Sequence, residues 1–277
     1  ALDADNLTLT ANASVTMTAA QNNAFTGNIT TTGAETITLS NAANATGLDS
    51  IEKYVLANGA QTFTLGAASQ DVTTGTGAVV INTGAVPDIT DAVLDGTNAN
   101  TLTVIVGADT DISAAVITGT GGAQDAAYDI DLAENADAIT MTIAQNALID
   151  AVTDGGDAVI TLSDAGAVTA NAGISKYVLA AAGNTTITLS DADLNVDTGG
   201  AGDIINVAGL TATGVFNTVN ADTIQLSTGA NIASVQGEGG AAGAALDANK
   251  LTLAANASVT MTAAQNNAFT GTITTTG

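Results

Sequence analysis

Residues 11–27 read ANASVTMTAAQNNAFTG, and residues 255–271 read ANASVTMTAAQNNAFTG again. Around this phrase, residues 245–277 match residues 1–33 at 29 of 33 positions, without a gap, at an offset of 244. The changes are Asp5 to Asn249, Asn6 to Lys250, Thr10 to Ala254 and Asn28 to Thr272, all expected to face solvent. A weaker repetition runs inside the first. Ile37-Thr38-Leu39-Ser40 returns as Ile160-Thr161-Leu162-Ser163, and Lys53-Tyr54-Val55-Leu56-Ala57 as Lys176-Tyr177-Val178-Leu179-Ala180, both at an offset of 123. Met17 and Gln21 return as Met141 and Gln145 at 124, so one residue is lost between the two registers. The expected organisation is a half-repeat at 1–123, a second at 124–244, and the start of a further copy at 245–277, within something longer.

Inside each unit the local signal is β. Apolar and hydroxylated residues alternate in LTLT (7–10), VTMT (15–18), TITLS (36–40), TFTL (62–65), TLTVIV (101–106), ITMTI (139–143), VITLS (159–163) and TITLS (186–190). A period of two puts one set of side chains inward and the other outward. Gly, Asn, Asp and Ala clusters between these runs supply turn residues, and only Pro87 removes a ladder donor. No segment displays a helical period. Two architectures suit many short strands: an elongated β-solenoid resembling a parallel β-helix, or a string of β-sandwich domains. The chain has no Trp, 3 Tyr, 4 Phe and 1 Pro, which disfavours sandwiches with their aromatic cores and proline-bearing loops. The expectation is therefore an all-β solenoid with a narrow core of Ala, Val, Ile and Leu. Strands recurring every roughly 20 to 26 residues give about ten to twelve coils per 244 residues, or roughly 50 to 60 Å at the interstrand spacing.

The phrases VTMTAAQNNAF (15–25), ETITLS (35–40), KYVLA (53–57), TFTLG (62–66), GDIINVAGL (202–210) and ADTIQLSTGANI (221–232) resemble those of very large bacterial β-strand-repeat proteins. These are secreted or surface-anchored, of the type-I-secreted adhesin, RTX-like and S-layer kind. The resemblance implies an extracellular or cell-surface location and a structural or adhesive role. It names no partner and no active site.

Charge excludes some partners. With 27 Asp and Glu against 3 Lys and Arg, the formal net charge is -24, so phosphate neutralisation has no basic patch to work with. Nucleic acid and anionic membrane surfaces are not expected partners. No apolar run approaches the length of a membrane span. Positive mean hydropathy argues against disorder. Without His or Cys the common general base and the thiolate nucleophile are missing, and no enzyme is expected. Asp197-Thr198-Gly199 spells an aspartic-protease triplet, but its necessary second copy is absent.

Calcium is the one cofactor the residues suggest. Asp3/Asp5, Asp109/Asp111, Asp129/Asp131 and Asp191/Asp193 are spaced by two, so on strands each pair would share a face and offer hard oxygen ligands. Asp154-Gly155-Gly156-Asp157 and Gly199-Gly200-Ala201-Gly202-Asp203 resemble RTX nonapeptide turns, although Asp203 stands one position early and the turn is not iterated. The candidate ligands are Asp129, Asp131, Asp154, Asp157, Asp191, Asp193 and Asp203; the competing reading makes them solvated turn residues that oppose lateral aggregation. Thr-x-Thr triplets, as at Thr16/Thr18 and Thr186/Thr188, resemble ice-binding faces but equally suit stacked strands. Six sequons, at Asn6, Asn12, Asn28, Asn44, Asn184 and Asn256, are possible glycan acceptors. The Lys53-Tyr54 and Lys176-Tyr177 pairs suggest packing, with each cation over a ring or beside a carboxylate. The function expected is a structural segment of a filament, matrix, surface lattice or adhesin stalk that associates with itself, end to end or laterally. The alternatives are adhesin repeats that bind a cell-surface or polysaccharide ligand directly, an ice-binding solenoid, and a polysaccharide-acting β-helix enzyme.

Overall fold

In the computed structural model, residues 6–27, 29–106, 109–119, 128–132, 138–154, 158–219, 221–237 and 240–276 are described. The chain is all-β with 6% helix, its parallel sheets stacked as a β-solenoid of about 12 turns. Sandwich domains pair their strands antiparallel, whereas strands here pair in parallel, as in Ile37↔Tyr54 and Ile187↔Ile205.

The chain forms two units, Ala1–Ile139 with Leu148–Thr153, and Thr140–Ala147 with Asp154–Gly277. In the first, the strands from Thr36–Leu39 to Thr101–Ile105 alternate between two six-stranded sheets. One holds Ser14–Met17, Thr36–Leu39, Lys53–Val55, Asp71–Thr73, Val93–Asp95 and Val116–Thr118. The other holds Ala45–Thr46, Gln61–Thr64, Ala78–Asn82, Thr101–Ile105, Tyr128–Leu132 and Ile149–Asp154. In the second unit, Val159–Leu162, Lys176–Val178, Asn195–Asp197 and Phe216–Asn217 stack on one side. Ala167–Thr169, Thr186–Thr188, Ile204–Asn206, Thr223–Leu226, Lys250–Leu253 and Ile273–Thr275 stack on the other.

Coils are more variable than the expected 20 to 26 residues: register shifts run from 17 residues, Thr36↔Lys53, to 29, Asn231↔Thr260. The strands keep their inward file while the turns change length. Thus Val15, Ile37, Tyr54, Val72, Leu94 and Ile117 form one vertical file; Val168, Ile187, Ile205, Ile224 and Leu251 form another. Such files bury apolar area against the coils on either side, at roughly 25 cal/mol per Å². All seven aromatic side chains are buried: Phe25, Tyr54, Phe63, Tyr128, Tyr177, Phe216 and Phe269. Tyr54 and Phe63 lie with ring centroids 4.7 Å apart, which thickens a core otherwise made of aliphatics.

Where turns of adjacent coils pass closely, glycine is required. A Cβ on Gly199 would lie 2.1 Å from the Leu179 carbonyl oxygen and 2.4 Å from that of Ala180. Asn12 and Asn256, the same letter of the duplicated phrase, both take a left-handed turn, at φ 57° and 55°, which Asn tolerates better than most residues. The 244-residue period also preserves register, since Leu7↔Ile29 and Thr8↔Thr30 recur as Leu251↔Ile273 and Thr252↔Thr274.

Candidate functional site

Side chains that lock one coil to the next recur in both units. The duplicated phrase contains a helical turn that strand alternation did not reveal. Ala19–Asn22, Ile143–Asn146 and Ala263–Ala268 are short helices. Each opens on a capping box, Thr18 with Gln21, Thr142 with Gln145 and Thr262 with Gln265. The signal stood in the letters as T-x-x-Q, in which the Thr hydroxyl and the Gln side chain each satisfy a backbone N–H of the first turn.

The helix delivers an asparagine to the interior. Asn22 Nδ2 donates to the Thr46 carbonyl (2.7 Å). The Tyr54 hydroxyl donates to Asn22 Oδ1 (2.9 Å) and accepts from the Leu48 N–H (2.9 Å). In the second unit the arrangement returns: Asn146 Nδ2 donates to Thr169 O (3.3 Å), and the Tyr177 hydroxyl donates to Asn146 Oδ1 (2.8 Å) and accepts from Asn171 N–H (2.9 Å). Here Asn171 Nδ2 adds a bond to Asn146 Oδ1 (3.0 Å). Burial holds both phenols above their ordinary range; Tyr177, with compensating bonds from Asn171 and Asn146, is pushed up to about 12. The repeated Lys-Tyr pairs are thereby explained. Their tyrosines point inward to these clasps, while Lys176 on the outer face forms an ion pair with Asp197.

Carboxylates form a second kind of lock. Asp203 and Asp222 are fully buried and stand immediately before strands of successive coils. Asp203 Oδ1 accepts from Thr185 N–H (2.8 Å), and Oδ2 from Gly199 (3.1 Å) and Gly200 (3.3 Å). Asp222 accepts from Gly202 and Asp203 (both 3.1 Å) and from Val219 (2.8 Å). Burial raises the Asp203 pKa, and the charge of Asp222 adds to this; the Thr185, Gly200 and Gly199 N–H groups oppose it without cancelling it. The first unit uses Glu52 and Gln70 similarly. Glu52 Oε2 accepts from Glu35 N–H (2.8 Å). Gln70 accepts from Gly66 N–H (3.0 Å) and donates to Ile51 O (2.7 Å) and Leu48 O (3.1 Å).

The remaining candidate calcium residues come from different elements. Asp129 and Asp131 share the outer face of Tyr128–Leu132, beside Thr103 and Ile105 of the neighbouring strand. Asp191 and Asp193 lie in a bend ahead of Asn195–Asp197, not on a strand, so strand alternation does not place them on one face. Asp154 ends the strand Ile149–Asp154, and Asp157 falls outside the described residues, as do Asp3 and Asp5. Asp203 is inside the solenoid, with both oxygens engaged by backbone donors. Among the described residues no group of three or more acidic side chains converges in a way that could hold a metal ion.

Other outer features are similarly mixed. The Thr file at Thr16 and Thr38 continues as Val55, Thr73, Asp95 and Thr118, so threonines do not form a regular plane. Sequon residues Asn6, Asn12, Asn44, Asn184 and Asn256 are exposed; Asn28 lies outside the described residues. A pocket of about 390 Å³ lies in the first unit between Phe25, Thr26, Gly27 and Ile29 on one side and Gly47–Ser50 on the other, with Asp49 the one ionisable group among its described lining residues. A single carboxylate there provides neither an acid–base pair nor a nucleophile with a base. Compared with known protein families, curated proteins and solved structures, the chain matches none.

Proposed function

We propose that this chain is a structural repeat segment of a long extracellular bacterial protein, forming a filament, matrix, surface lattice or stalk. The observation that carries the reading is the conserved register across the 244-residue period, Leu7↔Ile29 against Leu251↔Ile273. A period that returns the same coil in the same register is a unit that extends by stacking. The work of such a segment is mechanical: backbone ladders, the Asn–Tyr clasps and the buried carboxylates join each coil to its neighbours. The net charge of -24 keeps outer faces soluble and resists lateral sheet pairing.

Burial of every aromatic residue supports a structural role over direct binding of sugars, which relies on exposed rings for stacking. Catalysis has no His or Cys to draw on. The test is to label intact source cells with antibody against residues 1–277 and image them by electron microscopy. Label on external filaments, layers or stalks is expected. Label confined to the cell interior refutes the proposal.

A further inference from the structure

Between the strands Lys53–Val55 and Gln61–Thr64 lies Asn58-Gly59, the one Asn-Gly pair in the sequence. Stacking accounts for both residues. Gly59 takes φ +128°, and a Cβ there would lie 2.6 Å from that of Ala42, so a larger residue is excluded. Asn58 reaches the coil that follows: its Oδ1 accepts from Thr76 N–H (2.9 Å), and Gly59 N–H donates to Thr76 O (2.5 Å). The second unit turns differently after its matching strand, Lys176–Val178. There glycine precedes asparagine, as Gly183-Asn184, and the next residue is Thr185, whose N–H is buried on Asp203 Oδ1 (2.8 Å).

A backbone nitrogen reaches the side-chain carbonyl of a preceding asparagine most easily when its own residue has no Cβ in the way. Asn58 is exposed, so water and hydroxide have access. We propose that Asn58-Gly59 is a site of spontaneous covalent modification, deamidation to aspartate and isoaspartate, and that Thr76 restrains it. Gly59 N gives its proton to hydroxide and bonds to Asn58 Cγ; the Cγ–Nδ2 bond breaks and ammonia leaves, giving a cyclic imide. Water then adds at either imide carbonyl. Breaking the bond from the nitrogen to Cγ yields aspartate. Breaking the bond from the nitrogen to the backbone carbonyl carbon yields isoaspartate, with the chain rerouted through Cβ and Cγ. Thr76 holds the reacting nitrogen and the reacting carbonyl at once, so ring closure waits for this pair of bonds to open. The bond to Asn58 is exposed, where such openings are frequent. Isoaspartate lengthens the main chain in a turn with no room to spare: a Cβ on Gly77 would lie 2.7 Å from the Gly59 carbonyl carbon. The product therefore loosens this turn from the next and adds a negative charge. The site is independent of where the chain resides and of what it builds.

Peptide mapping of the whole chain tests this. The folded protein, and the same protein unfolded in urea, are incubated in mildly alkaline buffer and then cut after lysine, which places Asn58 in a fragment from Tyr54 to Lys176. Mass spectrometry reads the gain from amide to acid, and fragmentation locates it. In the folded chain Asn58 should convert before any other asparagine, Asn184 included, at a rate about tenfold below that in urea. Asn58→Gln should delay the first mass gain of the folded chain, because no other asparagine precedes a glycine. Should that variant fail to fold, the order and rates of conversion in the parent chain decide alone. Another asparagine converting first, an intact Asn58 in the folded chain once the unfolded chain has fully reacted, or equal rates in both, overturns the proposal.

Discussion

Replacing Tyr54 by Phe removes one oxygen and tests whether the Asn–Tyr clasp holds coils together. Two bonds are lost, and their costs differ. The bond from Tyr54 to Asn22 Oδ1 is buried, so that acceptor loses its partner away from water, at about 1–3 kcal/mol. The Leu48 N–H is only part-buried, so water recovers some of its loss, leaving about 0.5–1 kcal/mol. The sum is about 1.5–4 kcal/mol. Tyr177→Phe serves as the internal comparison, because Asn146 Oδ1 retains the bond from Asn171 Nδ2 and loses no more than one of two donors. Its cost should be about 1–2 kcal/mol. Native-state hydrogen exchange is the suitable assay, since it reports each unit separately where a chain of two units need not unfold in one step. The Leu48 amide should lose protection in Tyr54→Phe, and the Asn171 amide should lose less in Tyr177→Phe. Equal protection of Leu48 in the parent and Tyr54→Phe would refute the clasp as a stabilising element.

Acidity should act in two windows. The Asp203 pKa is raised, so the folded state takes up its proton first, and stability should increase as pH falls from above that value to the ordinary carboxyl range. For Asp95 burial works upward, but bonds from Thr97 and Thr118 and the charge of Lys53 outweigh it and hold the group low. Its contribution is therefore lost as pH falls below the ordinary carboxyl range. Thermal melts across this span should pass through a maximum in the acidic range, and Asp203→Asn should flatten the limb above it; a melting temperature that falls steadily on acidification from neutrality contradicts this. Gly199→Ala forces a methyl group into two carbonyl oxygens and should cost about 3 kcal/mol or more, so an unchanged urea midpoint would show that those turns are not tightly stacked. Calcium should stabilise the chain no more than magnesium does at equal ionic strength if the described acidic residues, which do not converge, are all that is available to it; a calcium-specific rise in melting temperature, lost on chelation, would reveal a site.

Much of the fold was legible because period-two alternation needs no distant partner to be read. TITLS at 36–40 and 186–190 marks inward Ile and Leu and outward Thr, and that is how Ile37, Leu39, Ile187 and Leu189 are buried. The shortage of Pro and aromatics separated solenoid from sandwich. The helical turns were less visible: four to six residues with no full apolar period look like the end of a strand, and only the capping box betrays them. The locks were hidden more deeply. Asp203 reads as a turn aspartate beside glycines, and only its position under Thr185, 18 residues earlier, makes it a buried acceptor.

The sequence by itself determined the period, the faces of the strands and the acidic exterior, since each follows from residue spacing and charge along one segment. Tertiary structure alone decided which polar residues are structural. Asn22, Tyr54, Asp203 and Asp222 acquire their roles from donors and acceptors on neighbouring coils, and the length of each turn sets which coil residue arrives opposite them. A one-residue change in a turn, such as the one between the 124 and 123 registers, is absorbed there while the Asn–Tyr clasp is kept. The bonds across coils fix the geometry that the linear spacing leaves open.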